Sequence, residues 1–236
     1  MPKMTRRAFV RDAACLAGGA LCTFSSGSGL FMPVESWASK LVFIESTCGE
    51  NNRQPRRVLV AYASMHGSTG EVAEAIGKVL CGQGAAVDVR LTKNVDLLTP
   101  YDAVVVGSAV RSDQWLSDAI HFVEINRKAL SQIPVAYFLT CLTLTKPSEE
   151  NSRKARCYMD PVLDAVPEVK PVEMGLFAGV LDYTKYSAGM GVVMRYKMGS
   201  KGVKEGDYRD WDAIRSWAGK FTPKFTASTG SGSALA

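Results

Sequence analysis

The middle of the chain alternates between short, mainly apolar runs and segments whose apolar residues recur with helical spacing. The apolar runs are Val58 to Tyr62, which is unbroken, Tyr101 to Ser108 and Pro134 to Thr140. Runs of this kind suit strands that are buried on both faces, as the strands of parallel sheets are. Two further strands are predicted, an alternating one from Ala86 to Leu91 and a glycine-interrupted one from Val172 to Leu181.

Helical patterns separate these strands. Ser68 and Glu71 have the S-x-x-E spacing of a capping box, and apolar residues with helical spacing follow them. A second apolar stripe begins at Trp115, and the segment from Ser148 to Val166 is predicted to be a third helix. Strands that alternate with helices indicate an α/β protein with a parallel sheet covered on both faces.

The loop after the first strand, Ser64 to Thr69, is rich in small and hydroxyl-bearing residues. Because a helix follows directly, backbone N–H groups, hydroxyls and the positive end of the helix dipole converge there, and a phosphate fits this point. The loop lacks the lysine of a Walker A motif and is not G-x-G-x-x-G. Taken alone, it fits an ordinary capped turn equally well.

The loop resembles the flavodoxin phosphate loop, T-x-T-G-x-T, with Ser64, His66, Gly67 and Thr69 in the defined positions. His66 stands where a hydroxyl is usual. With the strand–helix alternation, this resemblance implies a three-layer α/β flavodoxin-like fold. Its five-stranded parallel sheet is expected in the order 2-1-3-4-5.

From Arg57 to about Phe221, the chain is similar to the menaquinone-dependent protoporphyrinogen dehydrogenase family, a short-chain branch of this fold. The matching blocks are YASMHGSTGEVA, VVVGSAVRSDQW, PVAYFLTCLT, and FAGVLDYTKYS through MGSKGVKEGDYRDW. The last block has no counterpart in ordinary flavodoxins. Its distinguishing residues are Tyr183, Gly202, Asp207, Asp210 and Trp211.

The resemblance implies FMN as the cofactor, bound by loops at the carboxyl ends of the strands. The implied FMN-binding residues are Ser64, Met65, His66, Gly67, Ser68, Thr69, Ser108, Ala109, Val110, Arg111, Trp115, Thr140, Cys141 and Leu142. Core packing is the alternative for Trp115, and an inert buried thiol is the alternative for Cys141. No catalytic side chain and no metal ligand is predicted, because the redox chemistry belongs to the flavin.

Composition narrows the function classes. A chain of 236 residues with 47% hydrophobic and 22% charged residues suits one globular domain with accessory segments. The net charge of +5 is mildly basic, and no aromatic–basic interleaving occurs, so no nucleic-acid partner is predicted. Six cysteines occur without a C-x-x-C pair, which argues against a zinc site or a disulfide framework.

The N-terminal 38 residues are interpreted as an export leader. Thr5 to Arg11, TRRAFVR, matches the twin-arginine pattern, and Ser36 to Ala38 offers a small-x-small cleavage site. A basic tail and an uncleaved anchor are the alternatives. The expected location is the periplasm or the outer face of the membrane. Residues 39–55 are predicted to be a linker, 56–221 the FMN-binding domain and 222–236 a flexible tail.

Two function classes follow from the resemblance. In the first, an enzyme passes electrons from an organic donor through FMN to quinone. In the second, an exported carrier serves a redox protein partner and has no substrate of its own. The basic charge favours the enzyme, because carrier flavodoxins are usually acidic, whereas a porphyrinogen's propionates or an anionic membrane suit a basic surface. A domain that has lost its flavin is a weaker third possibility.

Met190, Met194 and Met198 recur at helical spacing, with Lys197 and Lys201 beside them. This stripe suits either a core-facing helix, which is favoured, or contact with a membrane surface or quinone.

Overall fold

The computed structural model describes residues 41–50 and 55–226. The predicted twin-arginine leader lies outside the described residues, as does most of the predicted tail. The strands are β1 Ser46–Cys48, β2 Arg57–Ala63, β3 Ala86–Leu91, β4 Ala103–Arg111, β5 Gln114–Trp115, β6 Val135–Cys141, β7 Glu173–Ala178, β8 Val180–Leu181 and β9 Gly206–Asp207. The helices are α1 Ser68–Gly82, α2 Ser117–Leu130, α3 Glu149–Cys157, α4 Asp160–Ala165, α5 Ala188–Ser200 and α6 Trp211–Thr226.

Five parallel strands form the central sheet in the order β3-β2-β4-β6-β7. Numbered along the chain, these are strands 2-1-3-4-5, so the predicted order is confirmed for the parallel part. Two short antiparallel strands were not predicted: β1 pairs with β3, and β5 pairs with β4. This sheet places the carboxyl ends of β2, β4 and β6 side by side.

Helices cover both faces of the sheet, as the fully apolar strands require. On one face, α1 and α6 pack over Val60, Val105 and Phe138. On the other face, α2 and α4 pack over Leu59 and Val106. Burying both faces of each central strand gives the sheet its main stabilisation, since apolar burial contributes roughly 25 cal/mol per Å².

Two predicted elements are shorter than expected. The predicted helix from Ser148 to Val166 divides into α3 and α4, and Pro161 lies in the first turn of α4, where its missing N–H costs nothing. The fifth parallel strand ends at Ala178. The chain then turns at Gly179, whose N–H donates to the Cys141 carbonyl at 3.0 Å, and β8 pairs with β9 in a separate sheet.

Part of the predicted linker is an edge strand. Residues of β1 hydrogen-bond along β3, and the Thr47 hydroxyl donates to Asp88 at 2.6 Å. Ahead of β1, the Ile44 carbonyl accepts a hydrogen bond from Tyr62 at 2.8 Å. Burial opposes the ionisation of Asp88, but donors that include Thr47 and Tyr101 hold its pKa below its ordinary value. The carboxylate therefore anchors β1 to the sheet.

Cys48 and Cys81 form a disulfide that links β1 to α1. The cysteine spacing argued against a disulfide framework, and this single disulfide was not predicted. The two residues are 33 positions apart and their Cα atoms are 6.2 Å apart, within the usual range. Closing a loop of this length stabilises a fold by about 3–4 kcal/mol in the chain-entropy model. Sequence spacing gave no signal, because the partners lie on separate elements that only the fold brings together.

Candidate functional site

A cavity of about 720 Å³ opens at the carboxyl ends of β2, β4 and β6. This is the edge at which open α/β sheets bind their ligands. The structure brings ten of the fourteen predicted FMN-binding residues together in its wall. They are Ser64, Met65, His66, Ser68, Ala109, Val110, Arg111, Thr140, Cys141 and Leu142.

Three of the remaining four residues, Gly67, Thr69 and Ser108, support the cavity wall without lining it. The Gly67 N–H donates to the Ser64 hydroxyl at 2.9 Å and closes the loop. Thr69 is fully buried, and its hydroxyl lies 2.9 Å from the Thr140 hydroxyl, which ties α1 to β6. The Ser108 hydroxyl donates to the Ala109 carbonyl and accepts from the Leu116 N–H. These groups hold the loops that line the cavity and do not line it themselves.

Trp115 does not line the cavity, contrary to the predicted FMN contact. Its ring is 1% exposed and packs edge-on against Tyr137, with the ring centroids 5.2 Å apart. The antiparallel pairing of β5 with β4 turns the residue into the core. The alternative role in core packing is what the structure shows.

The predicted capping box is also wrong. Gly67 is the residue that caps α1, with a left-handed φ of 89° and no side-chain cap. Ser68 is already inside the helix. Glu71 instead forms an ion pair with Arg209, at 2.8 Å.

Arg209 is a residue that sequence reasoning missed. Its side chain is 6% exposed and pairs with Glu71 and with Asp207, the latter at 2.7 Å. It also donates to the Ser68 carbonyl at 3.1 Å and lies 4.4 Å over the Trp211 ring. The hydrogen bond from Arg209 lowers the pKa of Asp207 despite some burial. Arg209, in the last of the four matching sequence blocks, thus holds the first turn of α1 in place, next to the loop from Ser64 to Thr69.

The methionine stripe of α5 faces the cavity. Met190, Met194 and Met198 all line it, and Met198 also packs with Leu181 and Val203. On α5, Val192 and Tyr196 are 71% and 82% exposed. The helix therefore adds an apolar wall to one side of the cavity.

Positive charge dominates the cavity. Five cationic side chains line it, and the one carboxylate in the described lining is Asp113. The cations are Arg111, Lys146, Lys154, Lys197 and Lys201. Lys146 also donates to the Lys201 carbonyl at 2.6 Å, which draws the loop after β6 toward the end of α5. The cavity is suited to anionic ligands.

Cys141 lines the cavity but is 4% exposed, and burial raises the pKa of its thiol. A thiol kept protonated in this way is a poor nucleophile. This supports the alternative of an inert buried cysteine. Among residues 41–50 and 55–226, no cluster of His, Cys, Asp or Glu side chains could hold a metal ion.

The residues present fit FMN. The buried Nδ1 atom of His66 has no hydrogen-bond partner among the described residues, and it lies in a loop at the start of α1. A Cβ at Gly67 would lie 2.6 Å from the Val42 carbonyl, so the loop can take this compact shape only with glycine. The loop is suited to the phosphate, whereas the ends of β4 and β6 are suited to the ring.

The fold and this cavity define a flavin-binding α/β protein of the flavodoxin type. The chain belongs to the family described as "Flavodoxin domain", whose model matches residues 59–205. FMN is the cofactor of this protein, and the predicted cofactor is confirmed.

Among curated proteins, the chain is 27% identical over 177 residues to a protoporphyrinogen IX dehydrogenase [quinone] of Leishmania major, covering 71% of this chain and 75% of that protein. It is 24% identical over 169 residues to the protein of that name from Escherichia coli K12, covering 69% and 92%. A solved structure, oxidised flavodoxin 2 from Bacillus cereus, is 20% identical with a TM-score of 0.41, covering 72% of this chain and 97% of that one.

Proposed function

We propose that this protein is an FMN-dependent dehydrogenase that takes electrons from an anionic organic donor of the protoporphyrinogen class and passes them to a quinone. The observation that carries this proposal is the extension of the cavity beyond the flavin loops. It reaches an apolar and basic wall, which is formed by Met190, Met194, Met198, Lys197 and Lys201. The curated relatives named above support it, because both are called protoporphyrinogen IX dehydrogenase [quinone].

The wall suits a large planar donor with carboxylates at its edge. The methionines of α5 offer a flexible apolar surface of the kind that adapts to irregular ligands. The lysines offer ammonium groups to the carboxylates. Bound FMN supplies the redox chemistry, and the chain's own residues orient the donor and exclude water from it.

A carrier needs only an exposed edge of the flavin. The wall formed by α5 would add nothing to that task, so the enzyme is favoured over the carrier. Purified protein with FMN, tested for protoporphyrinogen oxidation with menaquinone as acceptor, separates the two functions directly. A carrier would keep its flavin spectrum but would not oxidise the donor.

The basic wall yields a specific prediction. Reversing two of its charges, Lys197→Glu and Lys201→Glu, is expected to lower kcat/KM for the donor about tenfold, equivalent to about 1.4 kcal/mol. The FMN content should not change, because the flavin loops lie on β2, β4 and β6. The measurement is steady-state oxidation with a water-soluble quinone, alongside flavin absorbance.

Lys128→Glu is the matched control, since this exposed lysine on α2 does not line the cavity. Its kcat/KM should match that of the parent protein. Unchanged kinetics in the double reversal would place the donor elsewhere and strengthen the carrier function.

Membrane contact is part of the same proposal. Val192, Val193 and Tyr196 are exposed on α5, and Arg195 and Lys197 lie beside them. An apolar face with basic flanks binds the interface of an anionic bilayer, where quinones are found. No helix among residues 41–50 and 55–226 is both long and apolar enough to cross a membrane.

We further propose that the protein is exported by the twin-arginine route. The Cys48–Cys81 disulfide supports this, because disulfides persist mainly in oxidising compartments such as the periplasm. Changing Arg6 and Arg7 to lysine is expected to keep the protein in the cytoplasm, with both thiols open to alkylation. Mass spectrometry of each cell fraction before and after reduction measures this. Export of the double-lysine variant at the parent level would contradict the proposal.

A further inference from the structure

His66 occupies a special position in the phosphate loop. It lines the cavity beside Ser64 and Ser68, and its ring packs against Tyr186 with the centroids 4.4 Å apart. Its Nδ1 atom is buried and has no hydrogen-bond partner among the described residues. A buried polar atom without a hydrogen-bond partner is energetically costly, so a ligand group that hydrogen-bonds to Nδ1 would remove that cost.

The surroundings of His66 favour the neutral form of its ring and so lower its pKa. Burial lowers the pKa of His66, and the charges of Lys185 and Arg111 lower it further. The Lys185 carbonyl and the Asp182 carboxylate act in the opposite direction but do not outweigh them. Tyr186 has a pKa raised by burial, so its hydroxyl stays uncharged near neutral pH. The groups around the ring therefore carry more positive than negative charge.

A phosphate dianion would reverse this balance. It would bring negative charge to a loop next to an imidazole with an unused nitrogen. A nearby opposite charge, and a hydrogen bond to the charged form, both favour the protonated ring. A hydroxyl at the same position could donate a hydrogen bond but could not gain a charge.

We propose that FMN binding to this protein is coupled to the uptake of a proton by His66, which then donates a charge-assisted hydrogen bond to the phosphate. The coupling rests on the FMN site described above and assigns a role to the departure of this loop from the usual hydroxyl. It also favours phosphorylated flavin over riboflavin.

The sign of the pH effect follows from this coupling. The protonated ring is favoured in the complex, so affinity is highest below the pKa of free His66. Affinity falls as the pH rises toward the pKa of the bound form, and it is constant above that value. The phosphate of FMN itself titrates at about pH 6, so the change in Kd reports on His66 only at pH values above that.

Titration calorimetry of the flavin-free protein with FMN tests the proposal. Proton uptake is obtained from the binding heats in buffers of different ionisation enthalpy. We expect a measurable fraction of one proton taken up at about pH 7, and a Kd about three- to tenfold larger at about pH 8.5 than at about pH 6.5. A Kd that does not change with pH, with no proton taken up, would overturn the proposal.

Two controls assign the proton. Riboflavin lacks the phosphate, so its Kd should be independent of pH, and an equal pH dependence for riboflavin would exclude coupling through the phosphate. In His66→Gln, which keeps a hydrogen-bond donor but cannot titrate, FMN should bind without proton uptake. Proton uptake that persists in this variant would assign the proton to another group and overturn the role of His66.

Discussion

Replacing Gly67 with valine is expected to remove FMN from the protein while the sheet stays folded. Gly67 has a φ of 89°, a conformation that costs a residue with a side chain roughly 1–2 kcal/mol. The new Cβ would also lie 2.6 Å from the Val42 backbone carbonyl, so the loop must shift. Because the N–H groups and hydroxyls of this loop are suited to the phosphate, a shift of this kind should weaken FMN binding by at least about a hundredfold.

Gly84→Val provides a matched control. Gly84 follows α1 with a φ of 97°, and nothing lies within 4 Å of the position of its Cβ. This variant carries the same backbone strain without the clash and away from the loop. The FMN Kd, from flavin fluorescence, should rise only in Gly67→Val, with circular dichroism of both variants like the parent's. If Gly67→Val binds FMN as tightly as Gly84→Val, the phosphate does not lie in this loop.

Replacing Arg209 with leucine is expected to lower the free energy of unfolding by about 1–3 kcal/mol, because it removes the charge-assisted hydrogen bonds of a buried guanidinium, whereas the two carboxylates that it leaves are about half exposed and stay hydrated. Arg209 is 6% exposed and pairs with two carboxylates, Glu71 and Asp207. The loss should appear in urea unfolding of the FMN-free protein, which separates it from any effect of the flavin.

Arg215→Leu is the matched control for this prediction. Arg215 pairs with Asp212 on the surface of α6, and the two side chains are 52% and 95% exposed. Exposed pairs of this kind contribute about 0–1 kcal/mol. Equal losses in the two variants would mean that the Arg209 cluster contributes no more than an ordinary surface pair.

The parallel sheet was predictable because its strands have an unusual requirement. A strand buried on both faces must be apolar at every position, and Val58 to Tyr62 satisfies this within one short stretch of sequence. The loops at the strand ends were predictable for the same reason, since the strand that precedes each loop fixes its place. Ten of the predicted FMN-binding residues line one cavity as a result.

The features that escaped prediction depend on contacts between distant parts of the chain. Arg209 lies 141 positions from Ser68, whose carbonyl it contacts, and nothing local in the sequence reveals that pairing. Cys48 and Cys81 likewise meet only because β1 adds to the edge of the sheet. Trp115 fitted a stripe of apolar residues with helical spacing. It lies instead in β5, a strand of two residues, and its side chain is buried in the core.

The edge strand has a consequence for where the folding unit begins and ends. The family match spans residues 59–205, which leaves out β1, Arg209 and all of α6. A chain trimmed to those limits would expose the backbone of β3 as an open edge, and open edges recruit strands from other molecules. It would also leave Glu71 without its cation and Cys81 as an unpaired thiol. The segment that the family model matches is thus smaller than the folded unit that contains it.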